Sequence, residues 1–342
     1  MSVSCVMGRK ILGFLFALGS LMLGTGVSGL AQGVSQTKVL KLMGSRFEVT
    51  AVAENEAACW NAINAGIAEI QRIEKLISSW DPNSQTSMVN RSAGIKPIAV
   101  DQELFDLVAR AKKVSKLTDG AFDISYASMD RLWKFDGTLA QVPADSAITR
   151  ALALIGYQRI MLDGESTTIF LQDKGMKIGF GAIGKGYAAN RARMVMKGMG
   201  ITSGLVNAGG DLIAWGQQPD GSPWRIGITD PNNREEVYSW LSINDQAVVT
   251  SGDYERFVMI EGHRYSHIID PRNGYPVKGI KSVTIISPDA ELSDALATSV
   301  FVLGEDLGLA LINKLMGIEC LIVTDDNRLI PSGKLYLNYY KP

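Results

Sequence analysis

Apolar and polar positions change their spacing several times along the chain, and each change marks an element. In KVLKLMGSRFEVTAVAE, residues 38–54, apolar and polar residues alternate on both sides of Gly44, which predicts two short strands joined there. Residues 56–80, EAACWNAINAGIAEIQRIEKLISSW, place apolar side chains three and four apart and predict a long amphipathic helix. A turn cluster with a proline, DPNSQTS, stops it. Residues 101–120 predict a second helix, with Asp101 at its start and Gly120 after its end. Residues 158–181 read as two strands around Asp163-Gly164-Glu165-Ser166. GKGYAANRARMVMKGMG, residues 184–200, predicts a third helix closed by glycine. Residues 203–286 are strand-like runs between Gly, Pro, Asn and Asp turns, residues 291–304 and 305–317 are helical, and residues 318–331 read as a closing hairpin. Helices and strands mix without regular alternation, so the predicted class is α+β, with mostly antiparallel sheets flanked by helices. No repeat, low-complexity segment or linker divides the chain.

The N-terminus breaks this pattern. Arg9 and Lys10 precede an apolar run over residues 11–26, and small residues follow up to Ala31. Residues 1–31 therefore read as a secretory signal peptide cut after Ala31, leaving 32–342 as the folded part. A membrane anchor is the competing reading; the glycines and serines of the run and its shortness weigh against it. Cys5 precedes the apolar run, which excludes a lipobox. The expected location is the periplasm, with retention of the signal on the inner membrane left open.

Charge and cysteine narrow the function. The 34 Lys and Arg against 35 Asp and Glu give a net charge of −1; loss of Arg9 and Lys10 leaves 32 against 35, or −3. No basic block is present, which argues against nucleic acid. Two cysteines survive export, Cys59 in a helical pattern and Cys320 in a strand pattern. Two buried thiols are the favoured reading over one disulfide. No CxxC or His/Cys cluster supports zinc or redox chemistry.

The candidate chemistry begins with GFGAIGKGYAAN, residues 179–190. It matches GxGxxG after a predicted strand and also GxxxxGK. The P-loop reading lacks the hydroxyl residue after Lys185, where Gly186 stands, and the dinucleotide reading lacks an acidic residue at the end of the next strand. What survives is a glycine-rich approach to a helix start with a lysine, which favours phosphate or pyrophosphate over a mere packing turn. The chain holds two histidines, His263 and His267. His267 precedes DPRNG, a rigid turn signature in which Asp270 and Arg272 read as locks. His263 reads as an exposed hairpin tip.

Eight stretches taken together resemble the ApbE family. They are LMGSRFEV, LISSWDPNSQTSMVNRS, DGAFDIS, IGFGAIGKGYAANRA, VNAGGDLIAWG, TSGDYERF, YSHIIDPRNGYPV and SDALATSVFVLG, in family order from about Met43 to Gly304. The resemblance implies an ApbE-like, T-fold-like architecture and an FAD:protein FMN transferase. Such an enzyme cleaves FAD with Mg²⁺, passes FMN to a Thr or Ser hydroxyl of an acceptor flavoprotein and releases AMP. It implies flavin or adenine contacts at Met43 and Trp80, a flavin-nucleotide segment at Ala121, Phe122 and Asp123, and further ligand positions at Lys185 and Ile268. It implies a metal held by the Ala182 carbonyl, Asp294 and Thr298, and makes His267 the group that activates the acceptor hydroxyl. Acceptors in the family are subunits of membrane redox complexes, of the sodium-pumping NADH:quinone reductase or Rnf type. Gly179 departs from the family's frequent Asp, which puts one ligand contact in question, and Asn190 replaces another common Asp in a structural setting.

The residues make chemical sense beside the family. Asp294 and Thr298 are four apart on a predicted helix and share a face, and both offer hard oxygen suited to Mg²⁺. Transfer to a hydroxyl needs a group to take its proton, and a neutral imidazole suits that role. Asp123 reads either as a ligand contact or as a turn residue. Asp211 in VNAGGD and the SGDYERF stretch read as turn or site. Three rivals remain: an FAD pyrophosphatase with water as acceptor, an FAD-binding protein without turnover, and a nicotinamide-dependent oxidoreductase on the glycine loop.

Overall fold

A computed structural model describes residues 33–129, 132–229, 237–333, 335, 338 and 339. The predicted signal peptide lies outside the described residues. In chain order the elements are β1 (Val34–Leu42), β2 (Ser45–Ala53), α1 (Glu56–Ile77), α2 (Gln85–Arg91), β3 (Ile98–Ala99), α3 (Gln102–Leu117), α4 (Asp145–Leu152), β4 (Ile160–Asp163), β5 (Thr168–Leu171) and α5 (Gly184–Gly198). There follow β6 (Ser203–Ala208), β7 (Asp211–Trp215), β8 (Trp224–Thr229), β9 (Val237–Ile243), β10 (Gln246–Gly252), β11 (Phe257–Ile260), β12 (His263–Ser266), β13 (Ile280–Ser287), α6 (Ala290–Ile312), β14 (Glu319–Thr324), β15 (Leu329–Pro331) and β16 (Asn338–Tyr339).

Eight strands form one sheet in the order β1-β2-β6-β7-β10-β13-β14-β15. Every neighbouring pair in it is antiparallel. Its central strands are buried on both faces, so β6 reads as an unbroken buried run rather than an alternating one. Val206 and Ile213 face α1 and α5, while Leu205, Leu212 and Ala214 face Trp224, Ile226 and Leu241 of the β8–β9 ribbon. α1 commits Cys59, Ile63, Ile67, Ile70 and Ile73 to the first layer, the spacing that predicted it. α6 is long and apolar enough to cross a membrane by composition, but it is a core helix packed on β10, β13 and α5. Cys59 and Cys320 are buried free thiols.

The predicted mixed α+β class, with its antiparallel sheets and flanking helices, stands. Several boundaries move. α1 ends at Ile77, because Ser78 Oγ accepts from the backbone N–H groups of Trp80 and Asp81 and turns the chain. The turn cluster after it holds a helix, α2, capped by Ser84, whose Oγ accepts from Ser87 N–H. The strand expected to run into the glycine loop stops at Leu171. Beyond it, Ile178 is bonded through both backbone groups to the Asn90 side-chain amide instead of to a ladder. The two helical segments at 291–317 are one helix broken at Gly304, where φ is 79° and ψ −175°.

Candidate functional site

A cleft of about 1040 Å³ opens between the β1–β2 turn, the C-terminal end of α1, the glycine loop, the start of α6 and the segment after β12. Its volume lies at the upper end for small-molecule sites, which suits a dinucleotide-sized ligand. All eleven residues singled out above line it: Met43, Trp80, Ala121, Phe122, Asp123, Ala182, Lys185, His267, Ile268, Asp294 and Thr298. They come from six separate stretches of sequence, so only the folded sheet and helices bring them together.

The turn between β1 and β2 has two residues, Met43 at φ 47° and Gly44 at φ 73°. Both positive φ values belong to the turn type that matches strand twist. The N–H of Met43 donates to Glu74 Oε1 at 2.9 Å, which ties this turn to α1. Trp80 stands 73% exposed at the mouth. Ala121, Phe122 and Ile268 are buried and contribute wall rather than open stacking faces. Asp123 is buried as well. Its Oδ1 accepts from the Ser125 N–H and Oγ, and its Oδ2 from the Tyr157 N–H. The turn role is thus the one its carboxylate fills, and burial raises its pKa against those bonds.

α5 and α6 cross at Gly186. A Cβ there would lie 2.1 Å from the Ala290 carbonyl oxygen and 2.9 Å from Asp294 Cβ, so glycine is required by the close approach. The Gly186 N–H donates to Asp294 Oδ2 at 3.0 Å and the Gly184 N–H to the Phe180 carbonyl at 2.7 Å. These two amides at the start of α5 are therefore spent inside the protein and are not phosphate donors, which revises the helix-start reading. Asn190 links the same helices: its side chain donates to Asp289 Oδ1 and accepts from the Ala290 N–H. That is the structural setting expected for it.

Lys185 Nζ lies 2.7 Å from Asp211 Oδ2. Burial works against the ammonium, but Asp211, Asp294 and Glu255 outweigh it and hold its pKa above the ordinary value. Asp294 is raised well above the usual carboxylate range, by burial first and then by Asp211, with Lys185 pulling the other way. Burial also raises Asp211. Three carboxyl groups thus share one lysine in a poorly hydrated place, and the site would gain from a further positive charge. Ala182 on the glycine loop and Asp294 and Thr298, one turn apart on α6, all line that cleft, and their donor atoms would be hard oxygens. This donor chemistry fits Mg²⁺ and not a soft metal. Thr298 Oγ1 lies 3.4 Å from Ser251 Oγ.

His267 follows β12 directly. Its backbone N–H donates to the Arg256 carbonyl at 3.0 Å, and its Nδ1 lies 3.1 Å from the same oxygen. A carbonyl only accepts, so in the neutral ring the proton sits on Nδ1 and Nε2 keeps its lone pair. Burial pulls the imidazole down to about 4, aided by the charges of Arg256 and Lys185 and opposed by the Arg256 carbonyl. It is therefore neutral at pH 7. The turn behind it is locked as expected: Asp270 Oδ1 accepts from the Arg272 N–H and Nε, each at 2.9 Å, and Oδ2 from Nη2 at 2.8 Å. His263 lies exposed on the β11–β12 hairpin, away from the cleft.

Five further lining residues carried little sequence signal. Glu74 is one acid among several on α1, and Arg46 and Tyr126 belong to no motif of charge or spacing. Ser251 and Arg256 fall in SGDYERF, where turn and site read alike. Asp211, left between turn and site, is in the cleft as the partner of Lys185.

The profile of the ApbE family matches residues 43–322. An FAD:protein FMN transferase of Klebsiella pneumoniae is 33% identical over 300 residues, covering 87% of this chain and 92% of the relative. One of Treponema pallidum is 32% identical, covering 79% and 80%. Among solved structures, the ApbE protein of Thermotoga maritima superposes with a TM-score of 0.81 at 32% identity, covering 88% of this chain and 97% of the other. A flavinyl transferase ApbE of Pseudomonas stutzeri in its apo form gives 0.77 at 29%, covering 87% and 94%.

Proposed function

The chain belongs to the ApbE family, and from that premise we propose that it is an exported, Mg²⁺-dependent FAD:protein FMN transferase. The observation that carries the reading is one cleft holding a proton acceptor, a half-buried lysine and a hard-oxygen donor set. FAD is the substrate. The acceptor is a Thr or Ser of a flavoprotein subunit of a membrane redox complex, of the sodium-pumping NADH:quinone reductase or Rnf type. Export rests on Arg9, Lys10 and the apolar run after them, and places the work in the periplasm, free or held at the inner membrane.

In this reading the acceptor hydroxyl oxygen bonds to the FMN-side phosphorus of FAD. The bond from that phosphorus to the bridging oxygen breaks, and AMP leaves with that oxygen. Nε2 of His267 takes the hydroxyl proton, since Nδ1 is committed to the Arg256 carbonyl. Lys185 brings its ammonium to the pyrophosphate, and Asp211 keeps that side chain charged and aimed. Met43 and Trp80 border the flavin and adenine space, and Ala121, Phe122 and Ile268 wall it. The Ala182 carbonyl, Asp294 and Thr298 would hold Mg²⁺, which when bound neutralises charge on the transferring phosphoryl group.

The test compares wild type with His267→Ala. FAD binding should persist while transfer falls by roughly 10²–10⁴-fold, the range of general acid–base groups. Loss of FAD binding would make His267 a structural residue. Wild-type transfer by the variant would remove it from the chemistry.

A further inference from the structure

β11 and β12 form a two-stranded ribbon apart from the main sheet, paired as Phe257↔Ser266, Val258↔Tyr265, Met259↔Arg264 and Ile260↔His263. Its inner face is ordinary. Val258 and Ile260 are buried in a cluster with Met129, Trp133 and Ile148, and Tyr265 packs against it. The outer face is not. The positions that alternation assigns to water carry Phe257, 40% exposed, and Met259, 53% exposed. A ribbon covered on one side places polar side chains there unless the face has a use.

This face is also held still. The Arg264 guanidinium lies over the Phe257 ring, 4.2 Å from its centroid. Asp253 holds that guanidinium from behind: its Oδ2 is 3.4 Å from Nη1, and its carbonyl accepts from Nη2 at 3.1 Å. An aromatic ring, a methionine and a stacked arginine are the residue types that protein interfaces concentrate. Fixing the ring and the guanidinium beforehand removes part of the ordering cost of association.

The ribbon is continuous with the reaction site. Arg256, one residue before Phe257, supplies the carbonyl that sets the His267 tautomer, and His267 is one residue past Ser266. A polypeptide that brings a hydroxyl to Nε2 of His267 therefore arrives at the base of this face. We infer that Phe257, Met259 and Arg264 form the docking platform for the acceptor flavoprotein, seating an apolar side chain close to its target hydroxyl. The inference rests on the transferase reading and specifies where the protein substrate, as distinct from FAD, is recognised.

The experiment measures transfer by wild type and by Phe257→Ser/Met259→Ser against increasing acceptor domain at saturating FAD. It also measures FAD affinity and binding to anionic vesicles of phosphatidylglycerol. Both substituted side chains are exposed and outside the cleft, so FAD affinity should be unchanged and will report folding. The expected result is a KM for the acceptor raised about tenfold or more, as for truncated interface anchors, with kcat unchanged. Arg264→Ala should move the same constant the same way. An unchanged acceptor KM overturns the inference, as does a variant that loses only vesicle binding, which would make the face a membrane contact. Failure of wild type to label any acceptor would instead sink the transferase reading itself.

Discussion

One carbonyl oxygen decides what His267 can do. Because Arg256 O accepts from Nδ1, the lone pair is left on Nε2, and because the ring is crowded by protein it resists protonation. In a proton NMR titration of the protein free of FAD and metal, with His263→Gln for assignment, the His267 resonances should move near pH 4. Titration at or above the ordinary value near 6.5 would contradict this environment. The sign for stability follows: the unfolded chain takes up this proton first, so the group costs stability as pH falls from about 6.5 towards 4. Asp294 carries the complementary prediction. Asp294→Ala should abolish Mg²⁺-dependent release of AMP from FAD, and persistent release without the metal would refute the donor set. At this scale the sequence was most legible where chemistry is scarce. Two histidines in the chain made His267 conspicuous. Asp123 stayed ambiguous because an Asx turn and a ligand contact need the same residue; the bonds to Ser125 and Tyr157 show the turn, and the residue also lines the cleft.

Elements were legible where periodicity was local. α1, α3, α5 and the β1–β2 hairpin appear where apolar spacing and glycines put them, because each carries its own local apolar period. Errors came where side chains replace backbone partners. Asn90 bonding to Ile178 ends a strand that its apolar residues favour, and the Ser84 cap builds a helix in a segment rich in turn formers. The crossing of α5 and α6 was legible only as glycine density. Gly186→Ala should force these helices apart, since the new Cβ would meet the Ala290 backbone. The expected cost is roughly 1–3 kcal/mol, as for overpacked sites, read as a lower urea midpoint. A wild-type midpoint would show that the crossing is slack, and that Asp294 is not placed by it.

For the whole molecule, the pairings that close the sheet join distant segments: β2 with β6, and β13 with both β10 and β14. No local pattern announces them, so the antiparallel class could be read but not the strand order. The same closure draws the glycine loop, α6 and the segment after β12 around one cleft, though they are far apart in sequence. That convergence is the basis for assigning one reaction to the entire chain. The measurement that tests it most directly uses the chain from Gln32, with FAD, Mg²⁺ and an acceptor flavoprotein domain carrying a target Thr. The acceptor is then followed by intact mass and by in-gel flavin fluorescence. The expected product is an acceptor carrying one FMN, fluorescent after denaturation, with one AMP released for each. Free FMN and AMP with an unmodified acceptor, or no cleavage of FAD at all, would contradict the transferase reading.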